Sequence, residues 1–234
     1  MSEAFDKYAN PSTWADNKKE KITLVCTSLN PDKVLLNKML DSAYQFDEIV
    51  LNIDQQKFED RNDFGCPSKQ IARVFNQDHW SIPDAYNWMI KEVKTEWICC
   101  FCDDDYFYPE GLAKMIAEIR KGCYAGIAHY KYKISGYRPP QDLRSWILGS
   151  TYDLCEKQYI TEELLKKHNR LPAGSFFRKD VWKAIGGFKG DKCHDHNFWL
   201  RAAQFGFTFK YYDHLVYNHV RRENSAWVRQ QTNK

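Results

Sequence analysis

Three consecutive aspartates, Asp103, Asp104 and Asp105, stand directly behind a six-residue uncharged run, Trp97-Ile98-Cys99-Cys100-Phe101-Cys102. Adjacent carboxylates repel one another, and grouping them is costly unless a cation sits among them or water solvates them fully. A run without charge suits a strand covered on both faces. The carboxyl end of such a strand is where open α/β sheets bind ligands. The chemistry this pattern offers is a divalent cation holding a phosphorylated substrate. The alternative is a solvated acidic turn leading into a helix from Pro109, where acids suit the helix dipole.

The flanking sequence supplies elements able to position that cluster. Ile22 to Cys26 and Glu48 to Ile53 read as buried strands, the second ending at Asp54. Between them Leu35, Leu36, Met39, Leu40 and Ala43 recur at helical spacing. The chain therefore opens β-α-β, a parallel pair joined by a crossover helix. Ile71 to Phe75 reads as a short strand, and Asp84 to Val93 as a helix. Gly111 to Lys121 is a helix with Leu112, Met115, Ile116 and Ile119 on one face. No G-x-G-x-x-G and no P-loop sequence occurs, so neither standard dinucleotide nor P-loop binding is expected.

The second half changes character. A strand is expected within Tyr124 to Ile134, then a long aromatic and polar stretch over 135–160. Thr161 caps a short helix to His168, Gly174 to Arg178 is a short strand, and Asp180 to Ile185 is a helical turn stopped by Gly186-Gly187. Asp195 to Phe205 is helical with Phe198, Trp199 and Ala202 inward, and the last strands are Thr208 to Tyr212 and Leu215 to His219.

The chain has 234 residues, 43% hydrophobic and 28% charged, an ordinary globular composition. A net charge of +3 is too small to imply a polyanionic partner by itself. No stretch approaches the apolar length of a membrane span. The N-terminal MSEAFDKYANPSTWADNKKEK carries acids and no apolar signal core. The chain's eight cysteines are scattered, several within apolar runs, which suits buried thiols in a reducing compartment. These features together lead us to expect a cytoplasmic chain. Cys99 and Cys102 have C-x-x-C spacing, but a strand would point them to opposite faces, so core packing is preferred to a zinc or redox site.

Four segments carry a resemblance. KITLVCTSLNP, FDEIVLNID, KTEWICCFCDDDYFYPEGLAKM and the later GSFFRKDVWKAIGGFKGDKCHDHNFWLRAAQFGFTFKYYDHLVYNHVRRENSAW resemble, in that order, the GT-A nucleotide-sugar glycosyltransferases, and family 2 in particular. The resemblance implies a Rossmann-like α/β domain with a mostly parallel central sheet flanked by helices and a smaller mixed part on the acceptor side. One domain over 1–234 is expected, with a nucleotide-sugar half at 21–122 and an acceptor-binding, catalytic half at 123–234.

By the same resemblance, Asp103 and Asp105 would form a D-x-D pair on Mn²⁺ or Mg²⁺, which suit oxygen ligands. Asp104 could replace either, and one of the three could instead touch the ribose. Thr27, Ser28 and Asp54 match the positions that grip base and ribose. Asp195 matches the catalytic carboxylate, a general base that would deprotonate an acceptor hydroxyl as it attacks the anomeric carbon. His219 matches a histidine able to ligate the metal or a phosphate oxygen. Inverting transfer from a nucleoside-diphosphate sugar to a glycan, a lipid or a modified base in DNA is the implied reaction.

Departures from the family are Gln55-Gln56 after the second-strand acid, Tyr86 before Asn87 where an arginine is common, and His194 where a glutamate usually precedes the catalytic acid. Each site residue also has a plainer reading. Asp54 can simply end a strand, Asp195 can cap its helix, and His219 can be a surface histidine. Tyr137, Trp146, Tyr152 and Trp227 are the stacking candidates. Basic residues gather at Lys131, Lys133, Arg138 and Arg144, at Lys166, Lys167 and Arg170, and at Arg221, Arg222 and Arg229. They are either a solvated surface or one face for an anionic acceptor. A nucleotidyltransferase would need a glycine- and base-rich loop where TSLNPDK stands. A non-catalytic sugar-nucleotide module would have no use for a base at Asp195. His194-Asp195-His196 lacks the further ligands of a metal hydrolase.

Overall fold

The computed structural model of the chain describes residues 20–29, 32–54, 71–75, 81–123, 125–136, 159–169, 171–190 and 193–221. The strands are β1 (Ile22–Leu29), β2 (Glu48–Asp54), β3 (Ile71–Phe75), β4 (Trp97–Cys102), β5 (Tyr106–Phe107), β6 (Ile127–Gly136), β7 (Phe176–Arg178) and β8 (Phe209–Arg221). The helices are α1 (Lys33–Ser42), α2 (Ile82–Glu92), α3 (Pro109–Arg120), α4 (Glu162–Lys167), α5 (Lys179–Ile185) and α6 (His194–Gln204). Among the described residues no helix is long and apolar enough to cross a membrane.

All eight strands join one sheet in the order β3-β2-β1-β4-β7-β6-β8-β5. β3, β2, β1 and β4 run parallel, as do β6 and β8, while β7 is antiparallel to both β4 and β6. β4 is thus interior to the sheet, and its alternating residues feed two separate cores. Trp97, Cys99 and Phe101 pack with Leu36, Met39 and Leu40 of α1 and with the buried face of α3. Ile98 and Cys100 pack on the other side, with α2, α5 and α6. An uncharged strand is what a position covered on both faces demands.

Local chemistry sets the helix starts. Asp32 accepts from the amides of Val34 and Leu35 at 2.9 and 3.2 Å, and Thr161 accepts from Leu164 at 3.1 Å. Ser81 caps α2, and prolines stand in the first turns of α2 and α3. α5 ends with Gly186 and Gly187 at φ of 75° and 77°, a left-handed stop.

Three details differ from the sequence-based expectation. β5 has only two residues, too few to show a period, and it pairs with the end of β8 through Tyr106–Asn218 and Phe107–Tyr217. The two last strands are one. Asp213 and His214 look like a break, but the ladder passes from Tyr130–Tyr212 to Lys131–Leu215 and absorbs them as an irregularity. The strand expected within Tyr124 to Ile134 begins at Ile127 and runs on to Gly136.

Candidate active site

The carboxyl ends of β1, β2 and β4 lie side by side. Thr27 pairs in register with Cys102 of β4 and with Asn52 of β2. Immediately beyond Cys102 the chain turns through Asp103 and Asp104, and Asp105 leads into β5. That turn is held on two sides. The Ser28 hydroxyl donates a short hydrogen bond to Asp103 Oδ2. On the far side, Asp105 is 2% exposed, its Oδ1 accepts from the Val220 amide at 2.7 Å, and its Oδ2 lies 3.2 Å from His219 Nδ1. The acidic turn therefore links the first strand to the last.

Within the turn, ligand atoms of Cys102, Asp104 and Asp105 all lie within 4.8 Å of one another. Two carboxylates and a thiol are a donor set that fits a divalent cation. The expected trio of Asp103, Asp105 and His219 is distributed differently. His219 stands beside Asp105, whereas Asp103 is turned towards Ser28. Burial pushes the Cys102 thiol well above its ordinary range, and the fields of Asp105, Asp104 and Asp103 add to the shift. Tyr217 is likewise raised by burial and then by Asp105.

Thr27 is half-buried, and its Oγ1 accepts from Asn52 Nδ2 at 3.3 Å. Asn52 itself is buried, and its Oδ1 has no partner among the described residues. Asp54 closes β2, and its side chain lies outside the described residues.

Asp195 sits in the first turn of α6, behind His194. It is not the cap, because the residue at that position is Cys193, at φ 50°. Its Oδ2 accepts from Asn169 Nδ2 at 2.8 Å. The two neighbouring histidines take separate paths. Nε2 of His196 lies 2.5 Å from the Leu165 carbonyl oxygen, and His194 packs against Tyr86 and Phe188 at ring separations of 5.9 and 6.0 Å. Burial lowers the His194 pKa, and the Asp195 carboxylate works against that shift.

Tyr86 joins the two parts. Its hydroxyl donates to the Phe101 carbonyl at 3.0 Å, one residue before Cys102, while its ring meets His194. Asn87, next on α2, fixes the same corner. Its Oδ1 accepts from the Phe188 amide at 2.8 Å and from Trp182 Nε1 at 2.9 Å, and its Nδ2 donates to the Phe188 carbonyl at 2.9 Å. Phe188 in turn stacks on Phe198 of α6 at 4.3 Å. The acidic turn and the α6 N-terminus are thereby tied to one scaffold.

Tyr86, Asn52 and Asn169 were not among the residues singled out for chemistry, and Cys102 was weighed only as half of a C-x-x-C pair with Cys99. Cys102 reads as the last core residue of its strand, yet it is only partly buried and stands beside Asp104 and Asp105. Phe198 and Trp199 are core, at 0% and 1% exposure. Lys131 pairs with Asp213 at 3.0 Å, and Lys166 with Glu162 at 2.9 Å and Glu163 at 3.1 Å, so these cations are matched within the chain. The stacking candidates Tyr137, Trp146, Tyr152 and Trp227 lie outside the described residues, as do Arg138, Arg144, Arg170, Arg222, Arg229 and the Arg221 side chain.

The profile described as Glycosyl transferase family 2 matches residues 34–186, more than half of the 234-residue chain. No curated protein matches the sequence. Among solved structures, S. aureus TarS 1-349 is similar at a TM-score of 0.63 and 16% identity, over 86% of this chain and 60% of that one. The same protein in complex with UDP gives 0.63 and 16%, over 87% and 61%. In complex with UDP-GlcNAc it gives 0.61 and 17%, over 88% and 60%. The chain spans about three fifths of the length of those TarS chains. At such identities the likeness is one of fold, and the fold is the GT-A arrangement expected from the sequence.

Proposed function

Starting from glycosyl transferase family 2, to which this chain belongs, we propose that it transfers a sugar from a nucleoside-diphosphate sugar to an acceptor hydroxyl, with inversion. The observation that carries this reading is the Tyr86 bridge, which sets an acidic cluster suited to a diphosphate and a carboxylate suited to a base on one scaffold.

Thr27, Ser28 and Asp54 hold the nucleoside at the ends of β1 and β2. Asp104 and Asp105 hold the cation expected with the donor, and Asp103 and His219 complete the wall around it. When bound, Mn²⁺ or Mg²⁺ supplies positive charge to the diphosphate that departs. Asn169 engages Oδ2 of Asp195, which leaves Oδ1 for the acceptor. Asp195 takes the acceptor's proton as that oxygen forms its bond to the anomeric carbon and the bond to the diphosphate breaks. A single base and no enzyme nucleophile are needed, which is why inversion is the outcome proposed. The acceptor is a glycan, a lipid or a modified base in DNA, and the chain is expected to work in the cytoplasm. The complexes of TarS with UDP and UDP-GlcNAc make uridine donors the first to try.

The test is thermal stabilisation by sugar nucleotides with and without Mn²⁺, followed by transfer assays on acceptor panels. A ligand confined to the folded state at a hundred times its Kd stabilises by about 2.7 kcal/mol. Asp195→Asn is expected to keep the donor-dependent shift and to lose transfer by about 100-fold or more, the range of a lost general base. Normal turnover by that variant removes Asp195 from the role of base.

A further inference from the structure

The one non-oxygen donor in the acidic turn is Cys102. Its neighbours in sequence and space behave otherwise: Cys26, Cys99 and Cys100 are buried core thiols, and Cys99 donates to the Gly174 carbonyl at 3.0 Å. Cys102 is the last residue of β4, partly buried, on the strand face opposite Cys99 and Phe101. The turn that follows folds Asp104 and Asp105 back so that a sulfur and two carboxylate oxygens converge within 4.8 Å. Two donors on one cation at bond lengths of about 2.0–2.3 Å stand at most roughly 4.5 Å apart, close to the 4.8 Å within which all three ligand atoms lie. Asp105 is already fixed by the Val220 amide.

We propose that Cys102 is a ligand of the cation site, which is then a mixed thiolate–carboxylate site of Cys102, Asp104 and Asp105 with a bias towards thiophilic divalent ions. This rests on the reading that the acidic turn holds a cation, and adds the thiol to it. An all-carboxylate site suits Mg²⁺ and Mn²⁺, whereas sulfur shifts the preference towards Co²⁺ and Zn²⁺. On binding, the thiol gives its proton to solvent and the sulfur lone pair enters the bond to the ion. Zn²⁺ is then a tight occupant that competes with Mn²⁺ or Mg²⁺.

The experiment titrates the full chain, stripped by chelator and without nucleotide, with Co²⁺ alone. The readout is the near-ultraviolet thiolate-to-cobalt charge-transfer band, with circular dichroism to confirm that each variant is folded. A saturable band is expected in the wild type, displaced by Zn²⁺ far more readily than by Mg²⁺. It should vanish in Cys102→Ser and persist in Cys193→Ser, which removes an exposed thiol. Asp104→Asn keeps the thiol and should weaken Co²⁺ binding about tenfold, the effect of one lost ligand; it also serves as the test should Cys102→Ser fail to fold. A band of full strength in folded Cys102→Ser overturns the proposal. So does the absence of any band in a wild type that still shows Mn²⁺-dependent stabilisation by a sugar nucleotide, and that result leaves the glycosyltransferase reading standing. A Cys102-dependent band in a chain that binds no nucleotide supports the site and sinks the wider reading instead.

Discussion

Gly186 and Gly187 form a matched pair in which one added methyl group should have two different effects. Both are left-handed, at φ of 75° and 77°. An alanine at either one costs about 1 kcal/mol for that backbone conformation. Their surroundings differ. A Cβ on Gly186 meets nothing closer than Lys189 Nζ, at 3.6 Å. A Cβ on Gly187 falls 2.4 Å from Asn87 Oδ1 and 3.1 Å from Trp182 Nε1. That oxygen accepts two hydrogen bonds, and a short asparagine side chain has little room to yield. Losing both adds about 2 kcal/mol at roughly 1 kcal/mol each. Gly187→Ala should therefore destabilise by about 3 kcal/mol and Gly186→Ala by about 1. For a chain of this size 1 kcal/mol moves Tm by about 2–4 °C, so the two midpoints should fall by about 9 and 3 °C. The assay is thermal and urea unfolding of each variant, with Asn87→Ala and the Asn87→Ala/Gly187→Ala double variant to close a cycle. In the Asn87→Ala background the added cost of Gly187→Ala should drop to about 1 kcal/mol, because the obstructed atom is gone. Equal midpoints for the two glycine variants, or strict additivity in the cycle, would refute the reasoning.

Three further outcomes are expected. Asp105→Asn should remove the cation-dependent shift and also lower stability without any cation, by about 1–3 kcal/mol, since a buried acceptor of Val220 and neighbour of His219 is altered; an unchanged cation-free midpoint in urea unfolding would refute it. Burial lowers the His129 pKa from 6.5 to about 4. The unfolded chain then binds more protons, so stability is fully present above about pH 6.5 and falls by roughly 3 kcal/mol as pH drops to about 4; His129→Phe should flatten that part of the pH–stability curve. Tyr86→Phe keeps the ring on His194 and loses the bond to Phe101, and should cost about 1 kcal/mol by unfolding.

The first half of the fold was legible because its information is local. An uncharged β4, a parallel β1 and β2, and helices with apolar stripes follow from periods of two and 3.6 residues. The aspartate cluster was visible because like charges in sequence demand a reason. Pairings across distance were not. Nothing near Asn87 announces that its amide holds a glycine turn 101 residues on. Tyr86 stood out only as a departure from the family pattern, yet it bridges the two ends of the site. Cys102 was assigned to the core with Cys99 because a strand's last residue looks like core until the turn behind it is known, and β5 was hidden because two residues carry no period. Asp195 was singled out from its place after the Gly-Gly-Phe turn, although its partner Asn169 lies 26 residues upstream in a separate segment.

The insertion of β7 beside β4 has a consequence for how the molecule comes together in time. β4 pairs on one side with β1 and on the other with Phe176–Phe177–Arg178, and the contact from Cys99 to Gly174 spans 75 residues. Closing such long loops is slow relative to forming local helices and crossovers. The β-α-β start can organise early, but the Tyr86 corner acquires its facing wall only when the distal segments dock. Recovery of donor binding during refolding should accordingly track the slowest phase, making ligand affinity a clock for completion of the sheet.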